Sequence, residues 1–272
     1  MSGPFHVACV QTTTGLDIAA NVEAASQGVR DAVAAGADFV LLPETVNLME
    51  INGKARLEKI TADDGDAGLS GFQALAGDLG VWLLAGSLVK LKENGAAASR
   101  SFLIDAEGDV RAHYDKIHMF DVDLGDGEVY RESKAYEAGA EAVTADTPWG
   151  TLGMTICYDL RFPQLYWALA KRGADFLSVP AAFTRPTGRV HWHVLQRARA
   201  IENGCFVFAP AQCGVHENGR KTYGHSLIIN PWGEVLADGG EEKGFIIAEI
   251  DPAEVTAARK TIPALTHARD FS

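Results

Sequence analysis

The sequence predicts an α/β fold with helices packed outside a sheet. Short apolar runs alternate with amphipathic helices, which is the pattern of βαβ units. The same joint between a helix and the next strand occurs twice, as Gly36-Ala-Asp-Phe39 and as Gly173-Ala-Asp-Phe176. We therefore interpret the two stretches as βαβ units of related build, whose strand ends meet if the units pack face to face.

The first unit places a carboxylate at the end of a strand. Residues 5–10 form an apolar run, and apolar residues then recur at steps of three and four over 17–35, as on one face of a helix. A second apolar run over 38–42 is stopped by Pro43. Glu44 therefore lies just beyond the carboxyl end of the second strand.

The second unit places a thiol at the end of a strand. The β-branched run 151–156 ends at Cys157, a helix is predicted over 163–172, and a strand follows over 176–179. The carboxyl ends of strands are where α/β proteins usually bind their ligands. The alternative is that Cys157 is a small apolar core residue, as most free cysteines are.

The remaining strands bring a lysine to a third strand end. Strands are predicted over 81–91, 101–105 and 110–114, with a turn at Ala106-Glu-Gly-Asp109 between the last two. Lys116 comes directly after the third of these strands.

The rest of the chain continues without a linker or a change in composition, so we expect one domain over residues 1–272. Residues 121–147 are rich in Asp, Glu and Gly and are expected to form a long loop. Further elements are predicted as a helix over 191–201, strands over 205–209 and 244–250, a hairpin about 231–234 and a polar tail over about 251–272.

The net charge of −12 argues against nucleic acid or an anionic membrane as a partner. The apolar runs are too short to span a membrane, and no basic segment precedes an apolar run at the amino terminus. The four cysteines, Cys9, Cys157, Cys205 and Cys213, show no C-x-x-C spacing. We expect reduced thiols and a cytoplasmic protein.

Glu44, Lys116 and Cys157 together make a chemically sensible group. A carboxylate can take the proton of a thiol and hand it to a leaving amine. An ammonium favours the thiolate and can stabilise the oxyanion of a tetrahedral intermediate. The alternative is that the glutamate and the lysine are ordinary solvated charges.

The eight histidines offer competing partners for the thiol. A Cys–His pair is common in thiol hydrolases, and His118, His191 or His225 is a candidate for that role. His191 and His193 have a spacing that two metal ligands can use, but no third ligand is indicated nearby, so we expect no metal. No G-x-G-x-x-G phosphate loop occurs in the sequence.

Three segments resemble the signature regions of the nitrilase (carbon–nitrogen hydrolase) superfamily, in the order of that family. They are Leu42-Pro-Glu44, Tyr114-Asp-Lys-Ile-His118 and Ile156-Cys-Tyr-Asp-Leu-Arg-Phe-Pro163. The resemblance covers nearly the whole chain. It implies a four-layer α-β-β-α sandwich that forms a homodimer or a higher homo-oligomer, with residues from about 251 onward as a candidate part of the dimer interface.

The resemblance also implies roles for individual residues. Glu44 matches the general base, Lys116 the oxyanion-stabilising ammonium and Cys157 the nucleophile. Glu132 matches a second glutamate that positions the lysine and the substrate, and the backbone N–H of Tyr158 completes the oxyanion hole. No metal or organic cofactor is implied.

Two further segments, Ala211-Gln-Cys-Gly-Val-His216 and Tyr223-Gly-His-Ser226, resemble the branch of deaminated glutathione amidases. That branch implies an amide of 2-oxoglutarate with cysteinylglycine as substrate; an ω-amidase acting on 2-oxoglutaramate is the nearest alternative. Thr45 to Ile51 does not match the pattern of either branch, so this segment leaves the shape of the substrate site open.

An acidic substrate needs a cationic partner in so acidic a protein. Arg161, four residues past the thiol, is the first candidate, and its alternative role is a structural ion pair with Asp159 or a neighbouring acid. Arg185 and Arg189 are weaker candidates, and Phe183 is a further candidate for substrate binding. A Cys–His thiol hydrolase and a binding module without catalysis are the alternatives from other classes.

Overall fold

The computed structural model describes residues 3–62, 65–125 and 129–269. The first half contains β1 (Phe5–Gln11), α1 (Ile18–Ala34), β2 (Phe39–Leu41), α2 (Gly53–Lys59), α3 (Ala67–Leu79), β3 (Trp82–Leu91), β4 (Ala97–Ile104), β5 (Val110–Asp115), β6 (Asp121–Asp123) and β7 (Val129–Arg131). The second half contains β8 (Val143–Thr147), β9 (Gly150–Met154), α4 (Pro163–Lys171), β10 (Phe176–Ser178), α5 (Arg185–Asn203), β11 (Phe206–Ala209), β12 (Cys213–Val215), β13 (Lys221–Tyr223), β14 (Leu227–Ile229), β15 (Val235–Asp238), β16 (Gly244–Ile250), α6 (Ala253–Thr261) and α7 (Ala264–His267).

Two six-stranded sheets form the centre of the molecule, in the orders β16-β1-β2-β3-β4-β5 and β15-β14-β11-β10-β9-β8. The pairs β1–β2 and β9–β10 are both parallel. The two predicted βαβ units are therefore confirmed, and each lies within a separate sheet.

The alternation of side chains along β1 shows how the layers are stacked. Val7 and Cys9 belong to the core cluster that includes Leu152 and Met154 of the second sheet. Ala8 and Val10 belong instead to the cluster under α1 and α3. Because successive side chains of a strand point to opposite faces, one face of this sheet meets the other sheet and the opposite face meets helices.

Aromatic rings fill the space between the sheets. Phe5 of β1 stacks on Trp149 with ring centroids 4.3 Å apart, and its edge contacts Phe176 of β10 at 5.6 Å. Phe39 of β2 contacts Phe208 of β11 edge to face. With α1 and α3 outside one sheet and α4 and α5 packed on the other, the predicted α-β-β-α sandwich is confirmed.

The helices begin and end where local chemistry allows. The Asp17 side chain accepts a hydrogen bond from the Ala20 N–H and caps α1. Helix α5 begins at Arg185, six residues before the predicted start, with a proline in its first turn, and it ends at Gly204 in a left-handed conformation. The predicted start at 191 was wrong because the first turns of this helix carry little apolar pattern.

The predicted long loop over 121–147 was only partly right. It contains the short antiparallel pair β6–β7, a 3-10 turn at Glu132–Lys134 and the edge strand β8, which pairs with β9. The polar tail was also wrong as a description, since α6 follows β16 and buries Val255 and Ala258. Within the described ranges, no helix is both long and apolar enough to cross a membrane.

The two sheets approach each other closely near the ends of β2 and β10. A Cβ atom on Gly86 of β3 would lie 1.6 Å from the Leu42 carbonyl oxygen and 2.8 Å from Cβ of Pro180. Only glycine permits this approach. It brings the segment after β2, which carries Glu44, next to the segments after β9 and β10.

Candidate active site

The three residues at predicted strand ends line one cavity of about 310 Å³. Glu44 follows β2, Lys116 follows β5, and Cys157 begins a 3-10 turn after β9. Glu132, at the start of the turn after β7, lines the same cavity. The structure thus brings together four residues that are far apart in the chain.

Lys116 connects the two carboxylates. Its Nζ donates to Glu44 Oε1 at 2.8 Å and to the two carboxylate oxygens of Glu132 at 2.8 and 2.9 Å. The Lys116 and Glu44 side chains are only 2% and 5% exposed. The backbone N–H of Ala182 donates to the other oxygen of Glu44 at 2.7 Å. Both oxygens of this buried carboxylate are therefore held in fixed directions.

The cluster keeps Glu44 ionised. Burial alone would raise its pKa, but the charge and hydrogen bond of Lys116 and the charge of Arg220 outweigh burial and lower the pKa below its usual value of 4.5. Lys116 in turn stays protonated: burial opposes its charge, but Glu132 and Glu44 raise its pKa well above 10.5. The lysine therefore acts as a fixed ammonium between two carboxylates.

The pKa of the Cys157 thiol shifts in the opposite direction from that of Glu44. Burial, the negative charge of Glu44 and the hydrogen bond with Glu44 all raise the pKa of Cys157 well above 9.0, against the smaller effect of Lys116. The resting thiol is therefore protonated and next to an ionised carboxylate. Such a pair is arranged for proton transfer at the moment of attack rather than for a permanent thiolate.

The backbone at Cys157 is strained. Its φ of 48° lies in the left-handed region, which non-glycine residues rarely adopt, and the same holds for Thr45 with a φ of 54°. The Cys157 N–H donates to the Pro180 carbonyl at 2.9 Å, and the Thr45 N–H donates to Ser87 Oγ at 2.9 Å. These bonds hold both residues in conformations that aim side chains into the cavity.

A buried carboxylate joins the thiol segment to the lysine segment. Asp159 is fully buried and accepts from the Ile156 N–H at 2.9 Å, the Tyr114 hydroxyl at 2.7 Å and the His118 N–H at 3.0 Å. Tyr114 and His118 lie on either side of Lys116. Asp159 therefore fixes the distance between the ammonium and the thiol.

That network leaves no acid for Arg161, so the expected alternative of an Arg161–Asp159 ion pair was wrong for the part of the chain that the structure describes. Arg161 lies within 3.4 Å of His191 Nδ1, and its guanidinium faces the rings of Tyr158 and Phe183 at 5.9 and 5.5 Å. Tyr158 and Phe183 line the cavity, whereas the cavity lining does not include Arg161.

The guanidinium groups that do line the cavity are those of Arg56, Arg131 and Arg220. Sequence reasoning missed all three, while Arg185 and Arg189 lie outside the cavity lining. Arg220 had one available signal, since it lies between the two segments 211–216 and 223–226 that carry the family resemblance. No sequence signal pointed to Arg56, because only the fold brings α2 to the cavity.

The segment after Glu44 forms one wall. Five of its seven residues line the cavity, so the segment that matched neither branch shapes this space. These residues are Thr45, Leu48, Met49, Glu50 and Ile51. Tyr130 and Tyr136 add aromatic surface to the same space.

Residues 6–260 match the carbon–nitrogen hydrolase family. The chain belongs to this family.

Relatives and solved structures agree with this family assignment. The chain is 42% identical over 97% of its length to a deaminated glutathione amidase of Synechocystis sp., of which it covers 98%. Its structure resembles that of a Saccharomyces cerevisiae member of branch 10 of the nitrilase superfamily, with a TM-score of 0.89 and 28% identity, covering all of this chain and 98% of the other. It also resembles an amidase of Nesterenkonia sp. AN1, with a TM-score of 0.80, 25% identity and coverage of 95% and 98%. One structure of that amidase shows acrylamide added to its active site cysteine.

The histidines of this carbon–nitrogen hydrolase do not serve the cavity. Among the described residues, which include all eight histidines, none lines it. His118 pairs with Asp159, and His225 and His193 each pair with Asp238, at 2.8 and 2.9 Å. Ligand atoms of His193, His225 and Asp238 lie within 4.8 Å of one another, a grouping that the spacing of His191 and His193 did not predict.

Proposed function

We propose that the protein is an amidase that works through a thioester on Cys157. The observation that supports this most is the Lys116 ammonium, held between Glu44 and Glu132 in the cavity that the thiol lines. Each group required for nucleophilic acyl transfer has a counterpart here: a nucleophile, an ionised base and a fixed positive charge for the oxyanion.

In the first half-reaction, Cys157 Sγ attacks the amide carbonyl carbon while its proton passes to a Glu44 oxygen. The C=O π electrons move to the oxygen, and the oxyanion is stabilised by Lys116 Nζ and by the Tyr158 N–H. The C–N bond then breaks as Glu44 returns the proton to the departing amine. The products are a free amine and a thioester on Cys157.

In the second half-reaction, water attacks the thioester carbonyl and gives a proton to Glu44. The same oxyanion contacts stabilise the second tetrahedral intermediate. The C–S bond breaks, and Glu44 returns the proton to the sulfur. Glu132 takes no proton; its two hydrogen bonds to Lys116 Nζ position the ammonium, so it is a positioning residue.

Deaminated glutathione is the proposed substrate. The relative from Synechocystis is named a deaminated glutathione amidase, and this substrate is an amide of 2-oxoglutarate with cysteinylglycine that carries carboxylates at both ends. The cavity suits such an anion: four cationic and three anionic side chains line it, although the chain as a whole carries a net charge of −12. The local excess of positive charge attracts an acid that the rest of the protein repels.

Arg161 remains the proposed partner of the carboxylate on the 2-oxoglutarate half. Its guanidinium lies 5.9 and 5.5 Å from the ring centres of Tyr158 and Phe183, which line the cavity together with the thiol. An Arg161→Met variant is expected to raise KM for acidic substrates with little change in unfolding. An unchanged KM would remove Arg161 from substrate binding.

The function is tested by measuring 2-oxoglutarate release from deaminated glutathione and from 2-oxoglutaramate side by side, with Cys157→Ala as the blank. Higher kcat/KM for deaminated glutathione is expected. A preference for 2-oxoglutaramate would assign an ω-amidase and leave the mechanism intact, while no release from either would reject both substrates.

Self-association in the cytoplasm completes the proposal. Helix α5 exposes three large apolar side chains, Val190, Val194 and Ile201, and exposed apolar surface of this kind is typical of an interface. The four cysteines are free thiols, as in a reducing compartment. Light scattering during gel filtration is expected to show the molar mass of a homodimer or a higher homo-oligomer. A Val194→Glu variant is expected to show a lower molar mass, because the charge disrupts the interface.

A further inference from the structure

Arg56 of α2 is a buried cation that lines the cavity. Its residue is only 3% exposed. One guanidinium nitrogen donates to the Glu50 carbonyl at 3.1 Å and another to the Ala135 carbonyl at 3.5 Å, and the group lies 4.6 Å from the centre of the Tyr136 ring. Its buried Nε has no hydrogen-bond partner.

No carboxylate in the described ranges neutralises this charge. The nearest acid along the wall, Glu50, directs its carboxylate to Lys59 at 3.2 Å, and only its backbone carbonyl accepts from Arg56. A buried guanidinium without a counter-charge is costly. Arginine presents several N–H donors in a planar fork that fits a carboxylate. The cavity therefore contains a built site for an anionic group of the ligand.

The position of Arg56 indicates which half of the substrate carries that anion. In the proposed mechanism Glu44 protonates the departing amine, so this half lies on the Glu44 side. The wall formed by Thr45 to Ile51 leads from Glu44 to Glu50, where Arg56 is hydrogen-bonded. Arg161, by contrast, lies beside Tyr158 and Phe183, and Tyr158 directly follows Cys157 in the chain.

We propose that Arg56 binds a carboxylate on the amine half of the substrate, the half that leaves first. The inference rests on the proposed function and makes it more specific: the enzyme selects amides whose departing amine is itself an acid, such as a small peptide with a free carboxyl terminus. Simple primary amides, which release only ammonia, leave this site unused.

The kinetic test compares three amides: deaminated glutathione, its glycine carboxamide and 2-oxoglutaramate. The variants are Arg56→Met and Lys54→Met, which remove one positive charge each from the same helix. Lys54 is an exposed residue that pairs with Glu58 at 3.9 Å. Arg56→Met is expected to lower kcat/KM for deaminated glutathione about 10- to 100-fold, as for a charge-assisted hydrogen bond. It is expected to leave the other two amides within about twofold, and Arg56→Lys to recover part of the loss.

Equal losses on all three amides would assign Arg56 to structure or to the 2-oxoglutaryl half that all three share. Equal losses on deaminated glutathione and its carboxamide, with 2-oxoglutaramate unaffected, would show that Arg56 contacts the amine half without recognising its carboxylate. Either result overturns the proposal. The Lys54→Met variant is expected to keep the wild-type kcat/KM for each of the three amides.

A binding measurement separates this proposal from the proposed function. Calorimetry with the Cys157→Ala enzyme is expected to show tighter binding of cysteinylglycine than of its carboxamide, and Arg56→Met is expected to abolish that preference. If cysteinylglycine binds more tightly than its carboxamide but the wild-type enzyme hydrolyses none of the amides, the carboxylate site is retained and the amidase function is rejected. If the wild-type enzyme hydrolyses the amides but the two dipeptides bind equally, the amidase function is retained and the carboxylate site is rejected.

Discussion

Two ionic clusters in this molecule differ in burial and in what surrounds them. Lys116 and Glu44 are almost completely buried and border a cavity. The side chains of His193, His225 and Asp238 are 32%, 21% and 35% exposed and lie away from that cavity. Both clusters consist of residues that commonly catalyse reactions or bind metals, so residue type alone does not distinguish them.

Backbone strain does not distinguish them either. His225 has a φ of 55°, close to the 48° of Cys157. In the histidine cluster each imidazole pairs with one oxygen of Asp238, and hydrogen bonds account for the arrangement. In the cavity, a protonated thiol faces an ionised carboxylate with open space beside both. A reactive pair is therefore recognised by its access to a ligand and by the opposite directions in which the pKa values of its two members shift.

The largest expected effect comes from removing the proposed nucleophile. Cys157→Ala is expected to reduce amide hydrolysis to background, since no other thiol lines the cavity in the part of the chain that the structure describes. Release of 2-oxoglutarate measures the loss. Cys213→Ala, which removes a buried thiol elsewhere, is the matched control and is expected to keep wild-type turnover. Substantial activity in Cys157→Ala would reject the thioester mechanism.

Replacing the bridging lysine is expected to affect both activity and stability. Lys116→Met leaves the buried carboxylate of Glu44 and the partly buried one of Glu132 without the lysine charge, which costs about 3–5 kcal/mol of unfolding free energy. Loss of the oxyanion contact is expected to lower kcat by about 10²- to 10³-fold. Urea unfolding and kcat are measured on the same preparation. A stable variant with wild-type kcat would show that the two clusters do not differ in the way described.

The third effect concerns how kcat/KM depends on pH. Because the pKa of Glu44 lies below 4.5, the fall of kcat/KM in acid is expected at a pH below that value. Stability from the same ionised group is present above its unfolded pKa and is lost as pH falls through the lower folded pKa. Initial rates in brief assays between pH 3 and pH 8 locate this fall. A fall near pH 6 to 7 would instead indicate a histidine.

The matching variant at Glu44 has two expected consequences. Glu44→Gln removes the base, so turnover is expected to fall by about 10²- to 10⁴-fold. Burial still raises the pKa of Cys157, but the negative charge that raises it further is gone. Alkylation by iodoacetamide, followed against pH, is therefore expected to shift to lower pH. A shift to higher pH would contradict the proposed coupling.

The smallest effect is expected in the histidine cluster. Burial alone would raise the pKa of Asp238, but the hydrogen bonds from His193, Gly240 and His225 lower it to about 2. Because these side chains are partly exposed, Asp238→Asn is expected to cost no more than about 1 kcal/mol in unfolding free energy. Turnover is expected to remain unchanged. A loss of turnover comparable to that of Lys116→Met would give this cluster a role in the reaction.

The sequence predicts the parts of the site that depend on local chemistry. Glu44 and Cys157 each follow an apolar run that stops abruptly, and such stops mark strand ends. It does not predict Arg56, whose place in the cavity depends on contacts with Glu50, Ala135 and Tyr136. Asp238 lies 45 residues from His193, a separation that no local pattern reports.

Helix α3 shows why part of the fold was also missed. It contains Gly68, Gly71 and Gly77, which lower helix propensity. The fold requires small residues here: a Cβ on Gly77 would lie 3.2 Å from the Glu107 carbonyl, and one on Gly68 would lie 3.2 Å from Val22. Close packing against other segments thus overrides the local preference.

The proposed mechanism requires a covalent 2-oxoglutaryl thioester on Cys157, and peptide mass spectrometry after acid quenching tests for it most directly. The enzyme is mixed with deaminated glutathione, quenched during turnover and digested. The account predicts the acyl mass on the peptide that contains Cys157, its retention in Cys213→Ala and its loss in Cys157→Ala together with activity. An acyl group on another residue, or full turnover by Cys157→Ala, would contradict it.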